Sequence, residues 1–418
     1  MADKDERKTK ILVLGGGYGG MMAISRLRNC RKPIEITLVD AKSSFEQRIR
    51  LHEVMAGRNP ASLRYEQVFS DKVKFIQARV VALQTPERRV EIATPDGDKV
   101  LDYDILIYAL GSTMDEAAIP GVAEYVHCVN TYQQALEIAV EIVRAGRVTV
   151  IGGGLGALEI STELAEAYSQ LQVSLVSRSV IADDYPEEAR NYLYSRFQKL
   201  GIDLYEQQSI EEVSEERCRL GNNEWLEHDL CLWAGGFSVS PVAGQSGLEV
   251  DEIGRVVTDP FLRSVSSEAV YAVGDSARVV GADDQPHRMG CVTAMPHGAY
   301  VGGAIKRQLL GKPVKPFRFR YVMRCLSLGR AAGLVQFTDS ADRPNNFFLI
   351  RTGGRWLKEF ICRLTFYSVK WELSTGWPIY TWLKGATSGG HDLAQVNTAG
   401  GIMMGRSDKV QSIGVEKA

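Results

Sequence analysis

Residues 10–20 read KILVLGGGYGG, and residues 148–157 read VTVIGGGLGA. Each is an apolar run that ends abruptly in glycines. In the first, Lys10–Leu14 is a predicted strand, and Gly15-Gly16-Gly17-Tyr18-Gly19-Gly20 opens a helical pattern that runs to Leu27. A second strand, Ile34–Val39, ends at Asp40, 20 residues after Gly20. Strand, G-x-G-x-x-G, helix, strand and acid together form the dinucleotide-binding βαβ unit. Gly15 permits the tight turn, and Gly17 lets a pyrophosphate approach the backbone at the helix N-terminus. Gly20 allows the helix to lie close on the strand, and Asp40 accepts from a ribose hydroxyl.

The second copy repeats the plan, its first glycine 137 residues after Gly15. Gly152, Gly154, Leu155 and Gly156 form its turn, and Ala157 stands at the third-glycine position, which the fingerprint tolerates. A helix from Leu158 to about Tyr168 and a strand Val173–Val176 are predicted after it. One such motif is weak support, whereas two in full strand–helix–strand context argue for an α/β chain with two Rossmann-like domains. Three further strands fit: Asp104–Leu110 ending at Gly111-Ser112, Asp229–Ala234 ending at Gly235-Gly236, and Val270–Val273 ending at Gly274-Asp275. An acid at a strand's carboxyl end lies where doubly wound sheets hold ligands.

Composition narrows the function classes. The chain has 418 residues, a formal charge of −2 and 24% charged residues. That balance argues against a nucleic-acid binder held by phosphate neutralisation. No apolar run reaches the roughly 20 residues of a bilayer span. The charged opening MADKDERKTK shows no secretory pattern, so a cytoplasmic protein is expected. The seven cysteines are scattered, none as C-x-x-C, which points away from a zinc site and towards reduced thiols.

These motifs, in this order, resemble the flavoproteins with two dinucleotide-binding domains of the pyridine nucleotide-disulfide oxidoreductase superfamily. Within them the chain is most similar to type II NADH dehydrogenases and apoptosis-inducing-factor-like NAD(P)H:quinone oxidoreductases. The resemblance implies an FAD domain over 9–120 and 241–312, an NAD(P)H domain over 121–240, a C-terminal region over 313–384 and a tail over 385–418. It implies that Gly15, Gly17, Tyr18, Gly19, Gly20, Asp40 and Lys42 hold the ADP half of FAD. Asp275, after Gly274, is implied on the ribityl chain, and Ala109 and Gly111 in the A-T-G-like turn, with Leu110 in place of Thr. Val80 and Gly235 count among the implied cofactor positions. Glu159 matches a glutamate beside the nicotinamide and is a candidate catalytic residue.

The flavin carries the chemistry, and the protein supplies placement and electrostatics. The family's disulfide reductases carry a C-x4-C pair after the ribose acid, but residues 41–127 contain no cysteine. A dithiol relay is thereby excluded, and electrons pass from flavin to an external small molecule, a quinone by resemblance. In the cysteines' place Arg48 and His52 share a face if the segment is helical, reaching a ligand or standing on a solvated, salt-bridged face. Pro296 predicts a helix start near Thr293–Met295, with Thr293 and Ala294 at the flavin edge. The quinone-associated A-Q-x-x-x-Q pattern is missing there. His297 is a candidate acid/base group for a quinone oxygen, or a satisfied structural histidine.

Four of the six tryptophans lie between Phe347 and Lys384. Trp356, Phe360, Arg363 and Tyr367 share a helical face, with Arg355, Lys358 and Lys370 nearby. Basic aromatic helices favour a membrane surface. Packing on the flavin domain or a homodimer face is the other reading. The second unit ends in Ser177-Arg178 rather than an acid, so nothing repels a 2′-phosphate and NADPH is predicted over NADH. Two other functions stay open: a soluble flavoenzyme acting on a small metabolite, and a nucleotide-responsive binding flavoprotein.

Overall fold

The computed structural model describes residues 7–69, 72–114, 119–281 and 283–385. Both glycine motifs sit in sheets of mainly parallel strands. In the first sheet the order is Arg263–Ser264, Ser267–Ala272, Ile105–Tyr108, Thr9–Leu14, Ile34–Asp40, Val73–Gln77. Thr9–Leu14 runs parallel to both neighbours, with Ile11 opposite Ile36 and Ile105. The second sheet is parallel throughout, in the order His127–Cys128, Leu230–Trp233, Arg147–Ile151, Gln172–Val176, Asp203–Tyr205. Central strands of such sheets bury both faces, which explains the unbroken apolar runs ILVL and VTVI. An antiparallel pair, Ser112–Met114 with Phe237–Val239, joins the segments that lead into and out of the second unit.

Two helices over the first sheet cross at almost bare backbone. Helix Tyr18–Leu27 packs on helix Cys291–Leu309. A Cβ on Gly298 would lie 2.0 Å from the Gly19 carbonyl oxygen, and one on Gly302 2.4 Å from that of Ala23. Glycine at both positions therefore sets the helix separation, and with it the height of each helix N-terminus above the sheet.

The C-terminal region contains a sheet not foreseen from sequence. Strands Met323–Ser327, Gly333–Thr338 and Pro344–Leu349 pair antiparallel and carry helix Arg351–Thr375. The helix seats on the central strand through two glycines: a Cβ on Gly354 would lie 2.4 Å from the Gly333 carbonyl oxygen. Its inner face buries Cys362, Phe366, Val369 and Leu373. Near its end the buried Glu372 accepts from Arg26 Nη2 (2.8 Å), Ser25 Oγ (2.9 Å) and the Tyr380 N–H (2.7 Å). That knot ties the helix and the strap after it to the first glycine-motif helix. The packing reading thus holds for the inner face. The outer face is bare: Trp356, Phe360, Tyr367 and Trp371 are 52–64% exposed. Of the tail, only Gly385 lies within the described residues.

Candidate functional site

The first glycine turn is built to receive a diphosphate. Gly15 has φ +98°, and a Cβ there would lie 2.2 Å from the Ala109 carbonyl oxygen. Nothing lies within 4 Å of the Cβ position on Gly17 or Gly111. Gly17 is the N-cap of helix Tyr18–Leu27, and no side chain caps it, so the first-turn N–H groups stay open for an anion. Asp40 Oδ2 accepts from the Gly16 N–H (2.5 Å), and Oδ1 from the Lys42 N–H (2.8 Å). Lys42 turns its ammonium towards Glu46 at 3.7 Å. Val80 stands in the antiparallel ribbon Arg79–Gln84, half-buried and opposite Ile92.

The Gly274-Asp275 turn lies at the end of strand Ser267–Ala272, two strands away in the same sheet. Asp275 accepts from Ser112 Oγ and from the Gly290 N–H, both at 2.7 Å, and Arg48 Nη1 donates to the Ser112 carbonyl at 2.7 Å. One hydrogen-bond cluster thereby joins the strand end, the A-L-G turn and the start of helix Cys291–Leu309. Ser112 and Gly290 were not singled out from sequence. The helix begins at Cys291, earlier than predicted, with Pro296 inside it. The Thr293 and Ala294 N–H groups already donate to the Gly290 carbonyl. The groups left open are those of Cys291 and Val292, which carry no hydrogen bond among the described residues.

Of the two readings of His297, the geometry fits the satisfied structural histidine rather than the acid/base group. It is 1% exposed, Nδ1 accepts from the Gly274 N–H (3.3 Å), and Nε2 lies 3.0 Å from His287 Nδ1. Burial, reinforced by His287, holds its pKa well below the ordinary value. One nitrogen serves the Gly274 turn and the other pairs with His287, so both are taken within the protein.

The second turn repeats the design. Gly154 caps helix Leu155–Ala167 without a side-chain cap, and nothing lies within 4 Å of Gly154 or Gly156. The helix starts at Leu155, three residues before the predicted start; Ala157 is buried. Gly235 sits against the Trp233 ring. Ser177 differs from expectation: it is buried under Gly153, donates to the Ser179 carbonyl at 2.7 Å and accepts from the Ser179 N–H. Its hydroxyl holds the loop and is not free for a phosphate. Arg178 is exposed and makes no hydrogen bond or ion pair among the described residues.

Arg48 and His52 do not share a helical face. A 3-10 turn Arg48–Arg50 precedes helix Leu51–Met55, which rotates His52 away from Arg48. His52 is buried, with Nδ1 4.0 Å from Glu159 Oε2. Glu159 Oε1 accepts from Lys358 Nζ (2.8 Å) and the Ser327 N–H (2.9 Å). Burial alone would raise the Glu159 pKa; Lys358, His52 and the Ser327 N–H overcome it and hold the carboxyl below its ordinary value. Burial likewise opposes the charge on Lys358, but Glu159 raises its pKa. Burial pushes His52 down to about 4, so it is neutral near pH 7. Lys358 therefore does not face solvent with Arg355 and Lys370, as its place beside the aromatic stripe implied.

Lys358 lines a cavity of about 320 Å³ together with Arg58, Ser327, Arg330, Trp356 and Cys362. An adjoining space of about 520 Å³ opens between Arg58–Ala61 and the last helix, and shares Glu53, Arg58, Glu359 and Arg363 with the first. Arginine–carboxylate pairs bind its walls: Arg50 with Glu53 (2.7 Å) and Glu359 (2.9 Å), Arg330 with Glu163 (3.0 Å) and Glu53 (3.1 Å). Among the described residues no two cysteines are joined, so no disulfide stands near either turn.

The model of the pyridine nucleotide-disulphide oxidoreductases matches residues 9–298. The chain belongs to that family. It is an FAD-dependent NAD(P)H oxidoreductase, and its two open glycine turns fit FAD and a nicotinamide dinucleotide. An NADH dehydrogenase-like protein of Mycobacterium tuberculosis is 26% identical over 363 residues, 80% of this chain and 89% of the relative. The type II NADH:quinone oxidoreductase of Staphylococcus haemolyticus is 26% identical over 371 residues, 78% of this chain and 89% of the relative. NDH2 from Plasmodium falciparum in complex with NADH has the same fold, with TM-score 0.73, 15% identity and coverage of 88% and 96%.

Proposed function

We propose that this flavoprotein oxidises NADPH and passes the electron pair to a membrane quinone without a thiol relay. The carrying observation is the buried Glu159–Lys358 pair at the inner end of an open cleft. FAD, when bound, supplies the two-electron transfer. Gly15, Gly17, Asp40 and Asp275 hold it, and the open Cys291 and Val292 N–H groups favour negative charge at the helix N-terminus. Glu159, itself held by the Ser327 N–H, fixes the Lys358 ammonium. Of its three donors, Glu159 takes one and the Cys325 carbonyl, at 3.5 Å, another. The third serves the quinone oxygen. His297 holds the Gly274 turn and moves no proton.

The exposed row Phe360, Leu364, Tyr367 and Trp371 continues into Trp377, Ile379 and Leu383 beyond the helix. Among the described residues no helix is long and apolar enough to cross a membrane. An apolar face beside exposed Arg363 and Lys370 instead suits lying on a bilayer. In the double variant Phe360→Ser/Trp371→Ser, turnover with a water-soluble quinone analogue stays at the wild-type rate. Turnover with a long-chain quinone in vesicles falls about tenfold, as expected when apolar anchoring is lost. Equal loss on both substrates would contradict membrane docking, and a change of oligomeric state would assign the row to a dimer face. No turnover of either quinone by the wild type would overturn the acceptor.

Arg178 carries the coenzyme reading, now without help from Ser177. A free guanidinium suits a 2′-phosphate, and no acid ends the strand. Arg178→Ala should raise KM for NADPH about tenfold and leave that for NADH within about twofold. A wild-type kcat/KM higher with NADH would refute it.

A further inference from the structure

Tyr65 lies 49 residues beyond the first glycine turn, yet its phenol sits directly beneath it. The hydroxyl's single proton is shared between two acceptors, the Gly16 carbonyl at 2.9 Å and Asp40 Oδ2 at 3.3 Å. The side chain is fully buried, and its ring packs against Phe69 and Phe75 with centroids 5.8 and 5.0 Å away. A Cβ on Gly16 would lie 2.2 Å from the hydroxyl oxygen. The fingerprint leaves this position free, so glycine here answers to Tyr65 and not to the nucleotide. The second copy has no such tyrosine: at the matching Gly153 the nearest atom is the Ser177 hydroxyl, at 2.3 Å.

We infer that Tyr65 is a positioning residue for FAD, holding the Asp40 carboxylate in the rotamer that receives the adenosine ribose. Asp40 is the first turn's ribose acceptor, and one of its oxygens is pinned jointly by the Gly16 N–H and Tyr65. The Lys42 N–H takes a single lone pair of the other oxygen, which keeps capacity for a ribose hydroxyl. Without the phenol, Oδ2 loses its share of that proton and keeps only the Gly16 N–H, and the carboxylate can turn from the ribose. Burial in the first place, then Asp40, raises the phenol's pKa well above its ordinary value, so it stays a neutral donor.

The test is equilibrium binding to flavin-stripped full-length protein, read by flavin fluorescence. The probes are FAD and an analogue whose adenosine lacks the 2′-hydroxyl. Tyr65→Phe keeps the ring cluster and removes only the donor. It should weaken FAD about fivefold, the loss of a hydrogen bond shared between two acceptors, and leave the analogue within about twofold of wild type. In the Asp40→Asn background, Tyr65→Phe should change FAD affinity by less than about twofold, because the coupling is gone. Equal weakening of both ligands would show that Tyr65 only supports the turn, and would overturn the inference, as would no weakening of either. Should Tyr65→Phe not fold, 4-aminophenylalanine incorporated at position 65, which keeps the ring's reach and an N–H donor, must retain the preference for FAD over the analogue. Loss of that preference would overturn the inference too. No flavin binding by the wild type would count against the cofactor assignment itself.

Discussion

Lys358→Met slows turnover with a quinone analogue about a hundredfold, the scale of removing one preorganised donor at a developing oxyanion. Flavin reduction by NADPH stays within about threefold of wild type, since Lys358 serves the acceptor and not the nicotinamide. Two effects must be separated. Among the described residues, Lys358 is the only ammonium within ion-pair reach of Glu159, at 2.8 Å. Deleting one partner of a buried pair costs about 3–5 kcal/mol unless the remaining group neutralises itself. With Lys358 gone, burial dominates, so the Glu159 pKa rises from its depressed position and the carboxyl takes up a proton as pH falls. The destabilisation is therefore largest at high pH, where Glu159 is left charged, and shrinks below the raised pKa. The double variant Lys358→Met/Glu159→Gln should regain the melting temperature and not the turnover. Quinone turnover within threefold of wild type in the single variant would remove Lys358 from the account.

Gly298→Ala should yield protein that is destabilised by about 3 kcal/mol and poor in flavin, the upper end of overpacking costs. A Cβ there meets the Gly19 carbonyl oxygen at 2.0 Å, and the obstacle is backbone, so no rotamer change relieves it. The two helices must part, which moves the first-turn N–H groups that face the pyrophosphate. Gly303→Ala, on the same helix with nothing within 4 Å, should instead stabilise by about 0.5–1 kcal/mol through helix propensity. Urea melts and the flavin-to-protein absorbance ratio read both variants. Equal effects of the two substitutions would show that helix packing does not set the turn.

Both glycine turns were legible because local sequence determines them. Gly15 and Gly152 need positive φ, and the strands that bear them end in buried, mainly apolar runs. The Gly274-Asp275 turn was legible for the same reason. Glu159 was placed on its helix, but its partner was not, since Lys358 lies 199 residues away and meets it only after helix Arg351–Thr375 docks. Spacing alone put Lys358 beside an exposed aromatic stripe; Gly333 and Gly354 set how the helix seats and turn the ammonium inward. Arg48 and His52 diverged because a 3-10 turn breaks the periodicity that a four-residue spacing assumes. Strand Gly333–Thr338 buries almost every residue, so it shows no alternation from which a strand is read. His297 resembled an acid/base group only while its neighbour His287 was out of view.

In the proposed reaction electrons leave the flavin directly for a quinone. Anaerobic stopped-flow on the protein, with its accessible thiols alkylated, separates this route from a thiol relay. NADPH should bleach the visible flavin absorbance, and a quinone analogue should restore it completely, one quinone consumed per NADPH. Bleaching that a quinone cannot reverse, or recovery that alkylation abolishes, would contradict the account.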